Sequence, residues 1–119
     1  MNLNFAARDG VGVVQVDHPR IDASVAIQFK DRFRDATRDV GGDVILDLGR
    51  VEFIDSSGLG AVVAARKLMP EGRILSLAGL QPAVARVMQL TRMDTVFPIH
   101  EDLETALDQH GKAANACDG

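Results

Sequence analysis

The segment Val51-Glu52-Phe53-Ile54-Asp55-Ser56-Ser57-Gly58-Leu59-Gly60 constrains this chain more than any other. Within it an apolar run stops abruptly at small polar residues and resumes as a helix-like stretch. Aspartate and serine are favoured helix N-caps, because their side-chain oxygens accept hydrogen bonds from backbone N–H groups that the first turn leaves unpaired. Asp55, Ser56 and Ser57 therefore mark a helix start directly after a strand. Gly58 and Gly60 suit the same junction, since the missing side chain permits a tight strand-to-helix passage and close backbone packing. A serine hydroxyl held at such an end is exposed. A phosphate placed on it would meet free N–H donors and the positive end of the helix dipole, so the junction can serve as a switch site, although read alone such a run is more often a plain cap.

Around this junction β-prone and helical patterns alternate. Leu3 to Phe5 and Val11 to Val16 are short β-prone runs joined through Arg8-Asp9-Gly10, where glycine can take positive φ, and they are expected to pair antiparallel. After Pro19, the residues Val25, Phe29, Phe33, Ala36 and Val40 recur every three or four positions. That spacing predicts an apolar helix stripe, with Arg32, Arg34, Asp35 and Arg38 outside, Asp22 or Ser24 as its cap and Gly41-Gly42 as its end. Val44 to Leu48 is almost continuously apolar, as a central strand covered on both faces should be. Leu59 to Met69 is apolar nearly all round until Arg66-Lys67, which predicts a substantially buried helix. Pro82 suits the first position of a third helix, and Glu101 and Asp102 complement the dipole at the start of a last one. The expected fold is α/β, with a mixed, largely parallel sheet and right-handed crossovers behind the opening hairpin.

Composition narrows the function. A chain of 119 residues, 46% of them hydrophobic, has the size and core material of one domain. That domain is expected over 1–112, with a small, polar, flexible tail over 113–119 that holds the single Cys117. A lone cysteine cannot form an internal disulfide. The formal charge of -4, with no cluster of Lys or Arg, argues against nucleic acid or anionic lipid as the main partner and favours a protein. No apolar run approaches the ~20 residues needed to span a bilayer. The start Met1-Asn2-Leu3-Asn4 lacks the regions of a signal peptide, so no membrane insertion and a cytoplasmic location are expected. Catalysis also lacks its motifs. There is no G-x-S-x-G elbow, no H-E-x-x-H and no P-loop, Gly10-Val11-Gly12 and Gly58-Leu59-Gly60 are too short for a dinucleotide fingerprint, and His18, His100 and His110 read as solvated surface residues. The expectation is a binding protein without cofactor or metal, not an enzyme.

The strand ending in Asp55 and followed by Ser56-Ser57-Gly58-Leu59-Gly60 resembles the signature of STAS domains, the fold of bacterial anti-sigma factor antagonists. Val44-Ile45-Leu46-Asp47-Leu48 is similar to the family's central strand, and Ile21-Asp22 before a helical pattern to its earlier turn. Ile74 to Gly79, Pro82 to Thr91, Val96-Phe97-Pro98-Ile99 and Leu103 to Leu107 resemble its later strands and helices, so the likeness covers roughly residues 3 to 110. It implies about four to five strands and about four helices. It also implies that Ser56, directly after the aspartate, is the phosphorylatable serine, and that Ser57 is a structural hydroxyl bonded to the helix start. Asp22 and Asp55 shape the phosphorylation site or the partner surface, or act only as caps, and Gly58, Leu59 and Gly60 support that surface. The implied partners are an anti-sigma serine kinase of the histidine-kinase-like ATPase fold, bound when Ser56 is free and released when it is phosphorylated, and a PP2C-type phosphatase. The other reading is a non-phosphorylated accessory subunit of a bacterial lipid transport ATPase complex. Two positions depart from the family pattern. Pro19-Arg20-Ile21-Asp22 lacks the glycine many members carry shortly before the aspartate, and Arg92 stands where glycine is frequent.

Overall fold

In the computed structural model of the protein, residues 1–109 are described; His110 and the expected tail over 113–119, with Cys117, lie outside the described residues. In chain order the elements are β1 (Asn2–Arg8), β2 (Val11–Asp17), β3 (Arg20–Ile21), α1 (Ala26–Thr37), β4 (Val44–Asp47), β5 (Phe53–Ile54), α2 (Ser56–Leu68), β6 (Leu75–Ala78), α3 (Pro82–Leu90), a short 3-10 turn (Met93–Thr95) and β7 (Ile99–His100). A further helix, α4, occupies 103–109.

Asp9 and Gly10 both take positive φ, 54° and 80°. This is the backbone that a two-residue hairpin turn needs to match strand twist. The chain accordingly reverses from β1 to β2 in antiparallel register from Asn2↔Asp17 to Arg8↔Val11, longer than the apolar runs alone suggest. β2, β4, β6 and β7 then pair parallel, giving a five-stranded sheet in the order β1-β2-β4-β6-β7. The sheet is mixed and largely parallel, as expected.

The continuous apolarity of β4 has its predicted cause. Val44 and Leu46 enter the large core cluster that holds Phe29 and Phe33 of α1, Val62 of α2 and Met88 of α3. Ile45, between them, faces the other way and packs with Val11, Ala78 and Ala106, where α4 covers the opposite face. Asp102 starts α4, its Oδ1 accepting the Thr105 N–H at 2.7 Å.

Several local expectations are corrected. Helix α1 begins at Ala26 with Val25 at the N-cap and no side-chain cap, because the Asp22 carboxylate is used elsewhere, and it ends at Thr37, before Gly41-Gly42. Val40 lies beyond the helix, although it still packs on the core. Phe53-Ile54 does not join the main sheet but forms a separate two-stranded parallel sheet with β3. The closing strand is Ile99–His100 and not Val96 to Ile99. The reason is that Val96 and Phe97 donate their N–H groups back to Met93 O, while Pro98, lacking an N–H, contributes only its carbonyl, to Leu77 N at 2.9 Å. Helix α2 is substantially buried up to Arg66-Lys67, as expected: Gly58, Ala61, Val62 and Ala65 are buried and Leu59 and Val63 pack on the core, whereas Leu68, beyond that limit, is 43% exposed.

Val62 is fully buried in the core cluster. Val62→Asp would place an unpaired carboxylate there and is expected to cost at least about 3 kcal/mol. Denaturant unfolding should show little residual cooperative transition, and an unchanged midpoint would mean that this face of α2 is not core.

Candidate functional site

The small sheet brings two distant pieces of sequence side by side. Arg20-Ile21-Asp22 and Phe53-Ile54-Asp55 share an Ile-Asp pair, and the register Arg20↔Phe53 and Ile21↔Ile54 aligns them residue for residue. Main-chain bonds extend this pairing at both ends. Pro19 O accepts from Glu52 N at 2.7 Å and Phe53 N at 3.2 Å, and Ile21 O accepts from Asp55 N at 3.3 Å. Ile21 and Ile54 both turn into the core, which fixes the pair against the body of the protein.

Asp55 is the N-cap of α2, with extended backbone. Its Oδ1 accepts the Gly58 N–H at 2.8 Å and its Oδ2 accepts the Ala23 N–H at 3.2 Å. One carboxylate therefore caps α2 and ties the β3–α1 loop to the helix start. Asp22 organises that loop. Its Oδ1 accepts from the Ser24 N–H at 3.1 Å and from the Ser24 hydroxyl, and its Oδ2 accepts from Arg20 Nε at 3.2 Å. The Ser24 hydroxyl holds the Asp22 carboxyl below the usual carboxylate range; desolvation opposes this, and Arg20 together with the Ser24 N–H adds to it. The Arg20 guanidinium also lies over the Phe53 ring, 4.7 Å from its centroid. His18 Nδ1 completes the loop against the Arg20 backbone, 2.7 Å from its carbonyl oxygen.

On this frame Ser56 and Ser57 occupy the first positions of α2 with exposed side chains, Leu59 is half-buried against the core, and Gly60 is exposed. The cap bond expected of Ser57 is made by Asp55. The two glycines also separate. A Cβ on Gly58 would collide with the Ile21 carbonyl, whereas one on Gly60 would meet nothing. Glycine is thus required for close approach at 58 and not at 60. Asp22, Asp55 and Ser56 come together at one surface corner. Arg20, Ala23 and Phe53 belong to it as well and were missed in the sequence, and Ser24, read there only as a helix cap, joins them; the repeated Ile-Asp pair is the signal that could have found them.

Among the described residues no group of three or more His, Cys, Asp or Glu is placed to hold a metal ion, and no helix is long and apolar enough to cross a membrane. An open groove of about 590 Å³ lies between the hairpin turn and the end of α1, lined by residues such as Phe5, Val11 and Val40. None of the corner residues lines it.

The profile of the STAS domain family matches residues 2–106. An anti-sigma factor antagonist from Mycobacterium paratuberculosis has a similar solved structure, with TM-score 0.82 and 28% identity over 91% of this chain and 92% of that one. In sequence, the protein named as anti-sigma factor antagonist BtrV of Bordetella bronchiseptica is 36% identical over 64 residues, 53% of this chain and 55% of its own length. The anti-sigma F factor antagonist of Paenibacillus polymyxa is 28% identical over 67 residues, 56% of this chain and 57% of its own. The chain thus aligns with little more than half the length of these two relatives.

The glycine geometry predicts opposite signs for similar changes. Gly58→Ala should destabilise by about 1–3 kcal/mol, because backbone must shift to clear Ile21 O. Gly60→Ala should stabilise by up to about 1 kcal/mol through helix propensity. Equal denaturation midpoints for the two variants would contradict the packing of α2 on β3. A second expectation concerns acid. The folded Asp22 pKa is depressed. Its contribution to stability is therefore complete above the unfolded value of about 3.9 and is lost as pH falls through the folded one. A carboxyl-detected NMR titration should give Asp22 a midpoint below 3.9, and a midpoint above it would contradict the Ser24 and Arg20 bonds.

Proposed function

The chain belongs to the STAS domain family, and from that premise we propose that it is an anti-sigma factor antagonist whose partner surface is built around Ser56. Unphosphorylated, it binds an anti-sigma serine kinase of the histidine-kinase-like ATPase fold; phosphorylation of Ser56 by that kinase releases it, and a PP2C-type phosphatase restores it. The protein acts by binding and not by catalysis. The observation that carries this reading is the exposed Ser56 hydroxyl on a corner whose backbone is pinned without it. Asp55 caps the helix and holds the neighbouring loop, so Ser56 is free to change chemistry while the fold stays intact. The relatives named as anti-sigma factor antagonists support the same class of partner.

Physically, a phosphate adds about -1.5 to -2 charges to the surface that must dock. The first turn of α2 accommodates it through free N–H groups and the helix dipole. A kinase surface pressed onto the corner meets both the desolvation of that charge and the two carboxylates already present, Asp22 and Asp55. A change of ~1.4 kcal/mol already shifts affinity tenfold.

The expected outcome is that cognate kinase and ATP add one phosphate at Ser56, that Ser56→Ala accepts none and keeps binding the kinase, and that Ser57→Ala still reacts. Calorimetric titration should show the phosphorylated form binding at least about tenfold more weakly, with Ser56→Asp falling between. Equal affinities for the free and phosphorylated forms would overturn the switch and point to a stable accessory subunit instead.

A further inference from the structure

Phosphate at Ser56 would arrive on a corner that already carries excess negative charge. The two segments 18–24 and 51–57 hold three carboxylates, Asp22, Glu52 and Asp55, and a single Lys or Arg side chain, Arg20. That guanidinium is held along the small sheet towards the helix start, with Nε on Asp22 Oδ2 at 3.2 Å and its plane over Phe53. Its side chain is 56% exposed, and the bond to Asp22 engages Nε alone. Arginine carries five N–H donors in a fixed fork, so both Nη groups suit a second oxyanion. In the parallel register Arg20 sits beside Phe53, and Ser56 follows three residues later. Strand rise and spacing put their Cα atoms roughly 10 Å apart, a span that an arginine and a phosphoserine close between them.

We propose that Arg20 is the receiving cation for a phosphate on Ser56, exchanging its bond to Asp22 for a forked contact with the phosphoryl oxygens. This rests on the reading of Ser56 as the modified residue. A phosphate dianion with three acceptor oxygens outcompetes a single carboxylate for a half-exposed guanidinium, and it offers the Nη pair two free oxygens, whereas Asp22 has one oxygen already engaged by Ser24. The exchange leaves Asp22 with Ser24 and draws Arg20 off the Phe53 ring. Phosphorylation then reshapes the corner as well as charging it: the Phe53 ring face and the Asp22 carboxylate, now partly covered by Arg20, become more exposed to the partner. Arg20 is a positioning residue in this scheme and touches no reacting atom.

The test uses protein carrying phosphoserine at position 56 introduced during translation, so no kinase is required. Its second phosphate pKa is followed by ³¹P NMR in three backgrounds. Against the wild type, Arg20→Gln should raise that pKa by at least about 0.3 unit, and Arg20→Lys should recover part of the difference. Glu52, Asp55 and His18 are present in all three proteins; Asp22, which loses its Arg20 partner in Arg20→Gln, is controlled by repeating the comparison in an Asp22→Asn background. Equal pKa values in wild type and Arg20→Gln, with native amide spectra for both, would overturn the proposal. Should Arg20→Gln fail to fold, the Arg20 Nε–H resonance of the wild type decides, since it must move on phosphorylation; a stationary resonance also overturns it. Failure of the switch itself shows up separately, as a kinase that leaves Ser56 unmodified or as unchanged partner affinity, while the pKa difference persists.

Discussion

One carboxylate ties the functional corner together. Asp55 spends one oxygen on the N–H of Gly58 in its own helix and the other on the N–H of Ala23, 32 residues earlier in the chain. An N-cap of this kind contributes about 0.5–2 kcal/mol to a helix. Here the same group also fixes the position of the β3–α1 loop, so helix start and loop form one unit. Gly58 allows this by bringing the first turn of α2 against the Ile21 carbonyl, and the parallel pairing of the two Ile-Asp segments supplies the alignment. Removing any of the three loosens the others, because they share the same few backbone groups.

This arrangement separates stability from recognition. The residues that hold the corner, Ile21, Ile54, Gly58 and the Asp55 carboxylate, are buried or engaged in backbone hydrogen bonds. The residues that face outward, Ser56, Ser57, Arg20 and Phe53, are exposed and sit on top of that frame. A modification on the exposed set can therefore alter charge and shape without unfolding what lies beneath. The groove between the hairpin and α1 lies on other elements and shares none of these residues.

The sheet behind the corner is covered unequally. Three helices bury one face of β4 and β6, whereas Ile45, Ala78 and Val11 on the opposite face meet α4. The turn after α3 shows the cost that the body of the fold imposes on local sequence. Arg92 takes a left-handed conformation, φ 61°, which glycine adopts without penalty and a side chain does not. The chain accepts it because the 3-10 turn that follows seats Phe97 in the core and aims the backbone at β7.

Legible in the sequence were the hairpin, the order of the helices and the main-sheet strands, the helix start at Asp55 and the exposure of Ser56. Each follows from short-range rules: positive φ at Asp9-Gly10, periodic apolar stripes, a capping residue before a helical run. It also carried the family resemblance, through the motif at Asp55 to Gly60 and through strand and helix patterns spread over most of the chain. Tertiary structure alone decided that Asp55 gives its second oxygen to the N–H of Ala23, 32 residues away, whereas Asp22 is held by its near neighbours Ser24 and Arg20. It decided that Phe53-Ile54 leaves the main sheet to pair with Arg20-Ile21, and that Gly58 needs to be glycine while Gly60 does not. These outcomes depend on which backbone atoms come within a few ångströms across long loops. Residue type and periodicity carry no information about such distances, so only the packed fold could fix them.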